Sequence, residues 1–160
     1  MIILIILVTL LFYLTIISIR EKFTNSVVHS NLVKSCFSKN EINSFKDYYK
    51  FSKIIYGENK KSVCYLTPTN VLNEIPIISW NGYYINNFCV DVAHRRKGYG
   101  KELLNKIIKI SRKEDKDHLI LQVDDNNEAG KQLYYKMKFV DYFKGADKNN
   151  NIKLFLVKYL

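Results

Sequence analysis

Four cationic side chains and two glycines crowd into seven consecutive residues of this chain: Arg95, Arg96, Lys97, Gly98, Tyr99, Gly100 and Lys101. A glycine lets the backbone turn tightly and approach a ligand with no Cβ in the way. If a helix starts at this turn, its first N–H groups have no intrahelical acceptor and point at whatever the turn holds. The chemistry such a stretch can do is to cradle a phosphate or pyrophosphate.

The flanking residues are the elements such a cradle needs. The apolar run Phe88 to Val92 closes a strand beginning near Tyr83. After Gly100 the period changes: Leu103, Leu104, Ile107, Ile108 and Ser111 fall on one helical face, with Lys101, Glu102, Lys106 and Lys109 on the others. His118 to Val123 is nearly continuous in apolar residues, as expected of a parallel strand buried on both faces. Strand, turn, helix and strand thus form a crossover unit, and a ligand would sit at the carboxyl end of its first strand. Downstream, Asn127 caps a short helix to Lys136 that carries Ala129, Leu133 and Tyr134. Met137 to Phe143 and Ile152 to Tyr159 read as strands around a polar turn. Upstream, Ser38 and Glu41 fit a capping box for a helix bearing Ile42, Phe45 and Tyr49. Phe51 to Tyr56 reads as a second short helix, Ser62 to Leu66 and Ile75 to Trp80 as strands, and Asn81–Gly82 as a hairpin turn.

The formal net charge of +10 favours anionic partners. The Lys and Arg residues are scattered without a basic stripe or reading motif, so nucleic acid is not an expected partner. The three cysteines, Cys36, Cys64 and Cys89, lack metal-ligand spacing, and no metal is expected. They read as reduced core thiols in a reducing compartment.

Residues 1–19 carry no charge and would span about 28 Å as a helix, close to one hydrocarbon core. A secretory signal wants a basic start and a small-residue cleavage site, and a core helix is apolar on one stripe only. A membrane anchor accounts for both departures. Arg20 and Lys22 follow it, which puts the remaining chain on the cytosolic side. The expected organisation is an anchor at residues 1–22, a linker at 23–37 and one domain at 38–160.

The Arg95-x-x-Gly98-x-Gly100 pattern is followed after one strand by Asn127, Leu133–Tyr134 and Phe139. This pair of motifs resembles the GNAT superfamily of acetyl-CoA-dependent N-acyltransferases. The resemblance implies a mixed α+β fold whose central sheet has a splayed parallel strand pair, with acetyl-CoA as co-substrate. By the same resemblance, backbone groups from Arg95 to Lys101 would hold the pyrophosphate. Val90 and Val92 would orient the thioester and the pantetheine arm, and Asn127 would contact the cofactor. Tyr134 stands where the family's general acid stands, protonating the departing thiolate. The implied activity is acetyl transfer to a primary amine by direct attack; the partners are membrane lipid at residues 1–19 and an amine acceptor, with homodimerisation open. Two departures motivate an alternative, a catalytically degenerate acyl-CoA-binding or structural protein. Lys138 replaces the glycine usual before Phe139, and Tyr84 to Phe88 contains no glutamate base. Asp91 is the nearest carboxylate.

Overall fold

The computed structural model describes residues 6–16, 18, 31–37, 49–72, 78–146 and 150–160. Its centre is a six-stranded sheet of β1 (Lys53–Tyr56), β2 (Ser62–Pro68), β3 (Gly82–Val90), β4 (His118–Asp124), β5 (Val140–Ala146) and β6 (Ile152–Tyr159), in the order β1-β2-β3-β4-β6-β5. Only β3 and β4 pair in parallel; the other neighbours are antiparallel. The helices packed around the sheet, among the described residues, are α1 (Asn31–Cys36), α2 (Tyr99–Lys113) and α3 (Glu128–Lys136). This is the mixed fold with a splayed parallel pair that the motifs imply.

Helix α2 is the crossover between β3 and β4. It buries Leu103, Leu104, Ile107, Ile108 and Ser111, the face set by the sequence period. That face packs on Cys64, Leu66, Tyr83 and Ile85 of β2 and β3, together with Leu119 and Leu121 of β4. Each such large apolar side chain contributes about 1.5–3 kcal/mol on burial. On the opposite sheet face, Val33 of α1 and Tyr49 pack with Val63, Tyr65 and Cys89. At the base of the parallel pair, the His118 ring lies where a Cβ on Gly82 would stand, so a larger residue there would push the strands apart.

Several sequence expectations give way. Residues 51–56 do not form a second helix; Lys53–Tyr56 is an edge strand antiparallel to β2. The run Phe51 to Tyr56 is too short for its period to separate helix from strand, and pairing with β2 decides it. Residues 78–81 are not a strand, and Asn81–Gly82 is not a hairpin turn, because Gly82 already belongs to β3. Asn81 instead ties to the α2–β4 loop, donating from Nδ2 to the Asp115 carbonyl at 2.9 Å. Residues 73–77, and the capping box and helix proposed from Ser38, lie outside the described residues apart from Tyr49.

The expected anchor is described only in part. Residues 6–16 are helical with exposed apolar side chains. Among the described residues, no helix is long and apolar enough to cross a membrane. The rest of residues 1–22 lies outside them except for Ser18, as does much of the 23–37 linker. The cysteine reading is corrected more sharply. Cys36 and Cys89 form a disulfide between α1 and β3, and Cys64 alone is a free, buried thiol.

The strand expected from Met137 starts later, at Val140, because α3 first closes with a left-handed turn. Lys138 N–H donates to the Tyr135 carbonyl at 2.9 Å, and Phe139 N–H to the Tyr134 carbonyl at 3.0 Å. This is the Schellman closure, which needs positive φ at the residue after the cap. Lys138 takes it at φ 64°. The family's glycine turn is therefore kept, and the lysine bears the strain. A left-handed non-glycine residue costs about 1–2 kcal/mol, offset in part by the chain entropy of glycine. We expect Lys138→Gly to raise the unfolding free energy by about 0.5–1 kcal/mol. Lys138→Ala, which removes the charge but keeps the strain, should fall short of it. Thermal denaturation measures both, and an unchanged or lower midpoint for the glycine variant contradicts the strain argument.

Candidate active site

The site begins where the parallel ladder ends. β3 and β4 pair from Gly82↔His118 to Ile85↔Leu121, after which β3 continues to Val90 and β4 to Asp124 without shared register. A bulge lies at the divergence: β2 shifts register between Val63 and Tyr65, opposite Asn87 and Phe88. Asn87 adopts φ 48° there, a conformation asparagine tolerates better than most residues. The gap between the strands opens into a cleft of about 600 Å³.

Past Val90 the chain makes a short 3-10 turn, Val92–His94. Asp91 caps it, accepting from Ala93 N–H at 3.2 Å and contacting His94 Nδ1 at 2.9 Å. The His94 contact, foremost, holds the Asp91 carboxyl below its ordinary range. Asp91 is thus committed to the turn and does not line the cleft.

The cradle follows. Arg96 at φ 63° and Gly98 at φ 89° both take the left-handed conformation, which helps curl successive N–H groups into an anion-binding concavity. A Cβ on Gly98 would meet nothing within 4 Å, so glycine is required there by conformation rather than by space. Gly98 is the N-cap of α2 and makes no side-chain cap. The first helical bond runs from Glu102 N–H to the Gly98 carbonyl at 3.0 Å. The N–H groups of Tyr99, Gly100 and Lys101 therefore lack intrahelical acceptors and carry the positive end of the helix dipole. Gly100 answers a packing need: a Cβ there would stand 2.9 Å from Leu133 Cδ2 of α3.

The expected site residues divide. Val90, Arg95, Arg96, Gly98, Tyr99, Gly100, Lys101, Asn127 and Tyr134 all line the one cleft. Val92 and Lys97 do not. Val92 opens the 3-10 turn and is 55% exposed, while Lys97 Nζ donates to the Ala93 carbonyl at 3.1 Å. Asn127 serves as the N-cap of α3, its Oδ1 accepting from Gly130 N–H at 2.9 Å. Arg95 is braced on its own loop by Nε donating to the Val90 carbonyl at 3.2 Å.

Tyr134 is 7% exposed and stands edge-on to Phe88 and Phe139, each at 5.9 Å between ring centroids. Burial above all, then the neighbouring Cys64 and Tyr84, pushes its hydroxyl pKa upward. The phenol therefore stays protonated well into alkaline solution. The cleft wall also includes Cys36, Phe37, Phe88 and Cys89, which the motifs do not reveal. Among the described residues Asp124 is the sole carboxylate on that wall, and it is paired with Lys153. Among the described residues, no group of three or more His, Cys, Asp or Glu side chains is placed to hold a metal ion.

A sequence model of the Acetyltransferase (GNAT) family matches residues 65–139, from β2 through the Schellman turn. That stretch, just under half of the chain, carries the sequence pattern of the GNAT superfamily, in line with the paired motifs. It is 30% identical over 106 residues to streptothricin acetyltransferase A of Bacillus subtilis, a match covering 65% of this chain. The matched region spans 61% of that curated relative's length. Among solved structures, the ribosomal-protein-S18-alanine N-acetyltransferase of Escherichia coli superposes with a TM-score of 0.62 at 14% identity. It covers 82% of this chain and 85% of its own. A GNAT family acetyltransferase from Elizabethkingia anophelis with acetyl-CoA bound gives 0.60 at 16% identity, covering 81% and 88% respectively. At these identities the structures establish the shared fold.

Proposed function

We propose that this chain is an acetyl-CoA-dependent N-acetyltransferase that moves an acetyl group to a primary amine by direct attack. The observation that carries the reading is convergence on one cleft. The N–H cradle at Gly98 to Lys101, the unpaired inner edges of β3 and β4, and the Tyr134 side chain meet there. The residues suit coenzyme A in each part. Cationic Arg95, Arg96 and Lys101 with free N–H groups match a pyrophosphate, and unpaired strand backbone matches an amide-bearing arm. The co-substrate supplies an activated acetyl thioester.

The protein's part is to orient, exclude water and hold a proton. Backbone of β3 up to Val90 aligns the arm, and the helix dipole at Gly98 anchors its charged end. Tyr134 holds its proton beside the reacting end and gives it to the sulfur as the carbon–sulfur bond breaks. Among the described residues Asp91 is committed to its turn and Asp124 to Lys153, so neither carboxylate is free to serve as the base, and the amine loses its proton through a water chain or with no dedicated base. Because Lys138 preserves the turn that sets Tyr134, one of the two grounds for a degenerate site falls away. The curated relative is named a streptothricin acetyltransferase, which is in keeping with acetyl transfer.

The uncharged residues 1–19, followed by Arg20 and Lys22, support a membrane tether with the domain on the cytosolic side. The full chain should stay with membranes through an alkaline wash, and a chain lacking residues 1–22 should not; release of both ends that part of the proposal.

Tyr134→Phe should lower kcat by about 100-fold or more while leaving acetyl-CoA affinity intact. In the parent, the rate should rise with pH as the acceptor amine is freed. It should show no falling limb below about pH 10, because the tyrosine pKa lies above its ordinary value near 10. Steady-state rates across pH with an amine panel measure this. An unchanged kcat in the phenylalanine variant removes Tyr134 from the mechanism.

A further inference from the structure

We propose that the Cys36–Cys89 disulfide is a thiol-exchange site in the wall of the cofactor cleft, opened by the free thiol of coenzyme A. The inference rests on coenzyme A being the ligand of that cleft. Cys36 is the last residue of α1 and Cys89 the penultimate residue of β3, 53 positions apart, and their bond pins α1 to the strand that faces the cofactor. Both cysteines line the same cleft as Arg95, Gly98 and Tyr134. The two sulfurs differ in access. Cys89 is buried at 2% exposure, whereas Cys36 is partly exposed, so a thiol arriving through the cleft reaches Cys36 first. The third cysteine is a built-in bystander. Cys64 is wholly buried in the main core, and that burial drives its thiol pKa upward.

Exchange requires the thiolate form of the incoming thiol. The coenzyme A thiolate attacks Cys36 Sγ, and a new sulfur–sulfur bond forms as the Cys36–Cys89 bond breaks. The electron pair leaves on Cys89 Sγ, which takes up a proton. One disulfide and one thiol enter, and one disulfide and one thiol leave, so no outside oxidant or reductant is consumed. Attack by the Cys89 thiolate on Cys36 Sγ reverses the step and expels coenzyme A. The acetylated cofactor has no free thiol and cannot react. The site therefore distinguishes the product of acetyl transfer from its substrate, and its opening releases α1 from β3. Such reversibility also suits a compartment in which disulfides are transient.

The test is intact-mass analysis of the full chain after incubation with coenzyme A, followed by alkylation under native conditions and peptide mapping. The expected result is the added mass of one coenzyme A, carried on Cys36, with the alkyl group on Cys89 and none on Cys64. Acetyl-CoA should give no adduct, and glutathione at equal concentration should react at least about tenfold more slowly because it lacks the cleft's affinity. Binding of desulfo-coenzyme A, which has no sulfur, is measured in parallel. If it binds while coenzyme A forms no adduct, or glutathione reacts as fast, the exchange site is overturned and the cofactor reading stands. If desulfo-coenzyme A does not bind, both are overturned.

Discussion

Two parallel strands that stop sharing hydrogen bonds while still running side by side set the terms for this protein. Beyond Ile85 and Leu121, the inner edges of β3 and β4 carry backbone groups without a ladder partner. A buried backbone group left unmet costs about 1–3 kcal/mol, so the gap must be wet or filled by a ligand with matching amides. Several devices keep it from zipping shut. The bulge at Asn87 throws β3 off register with β2, α2 fills the sheet face below, and α3 wedges Tyr134 between Phe88 and Phe139. The anion cradle lies beyond the end of the same gap because the chain leaving β3 becomes the N-terminus of α2.

Charge and burial divide the cleft into two parts with different work. Its rim is cationic, with Arg95 braced on the Val90 carbonyl so that its guanidinium stays beside the cradle. Its inner wall includes Phe37, Phe88, Leu133 and Tyr134. Burial keeps the Tyr134 phenol protonated, and among the described residues Asp91 and Asp124 are engaged by His94 and Lys153. The cationic turn at residues 95–101 and Tyr134 of α3 come from separate stretches of chain and meet at one cleft.

What could be read from the sequence was local. The apolar face of α2 emerged position by position because its period is fixed within two turns, and Gly98 stood out as one of two glycines in a basic turn between strand and helix. Asn127 and Tyr134 were singled out through the resemblance to the family's paired motifs, and both line the cleft. Val92 and Lys97 fall outside the cleft wall, Val92 because it opens the Asp91-capped 3-10 turn and Lys97 because its side chain folds back onto the Ala93 carbonyl, neither of which strand alternation encodes. The edge strand Lys53–Tyr56 was misread because pairing with β2 outweighs four residues of ambiguous pattern. The Cys36–Cys89 bond lay further out of reach. Its partners are brought together by α1 packing against the sheet, and sequence spacing carries no trace of that.

The central claim is that the gap and the cradle together are the acetyl-CoA site. Amide hydrogen exchange with and without acetyl-CoA tests it most directly. Protection should appear at residues 96–101 and along 86–90, with little change in β5, β6 and the base of the parallel pair. Exchange left unchanged at saturating acetyl-CoA, or protection confined to other elements, would contradict the account.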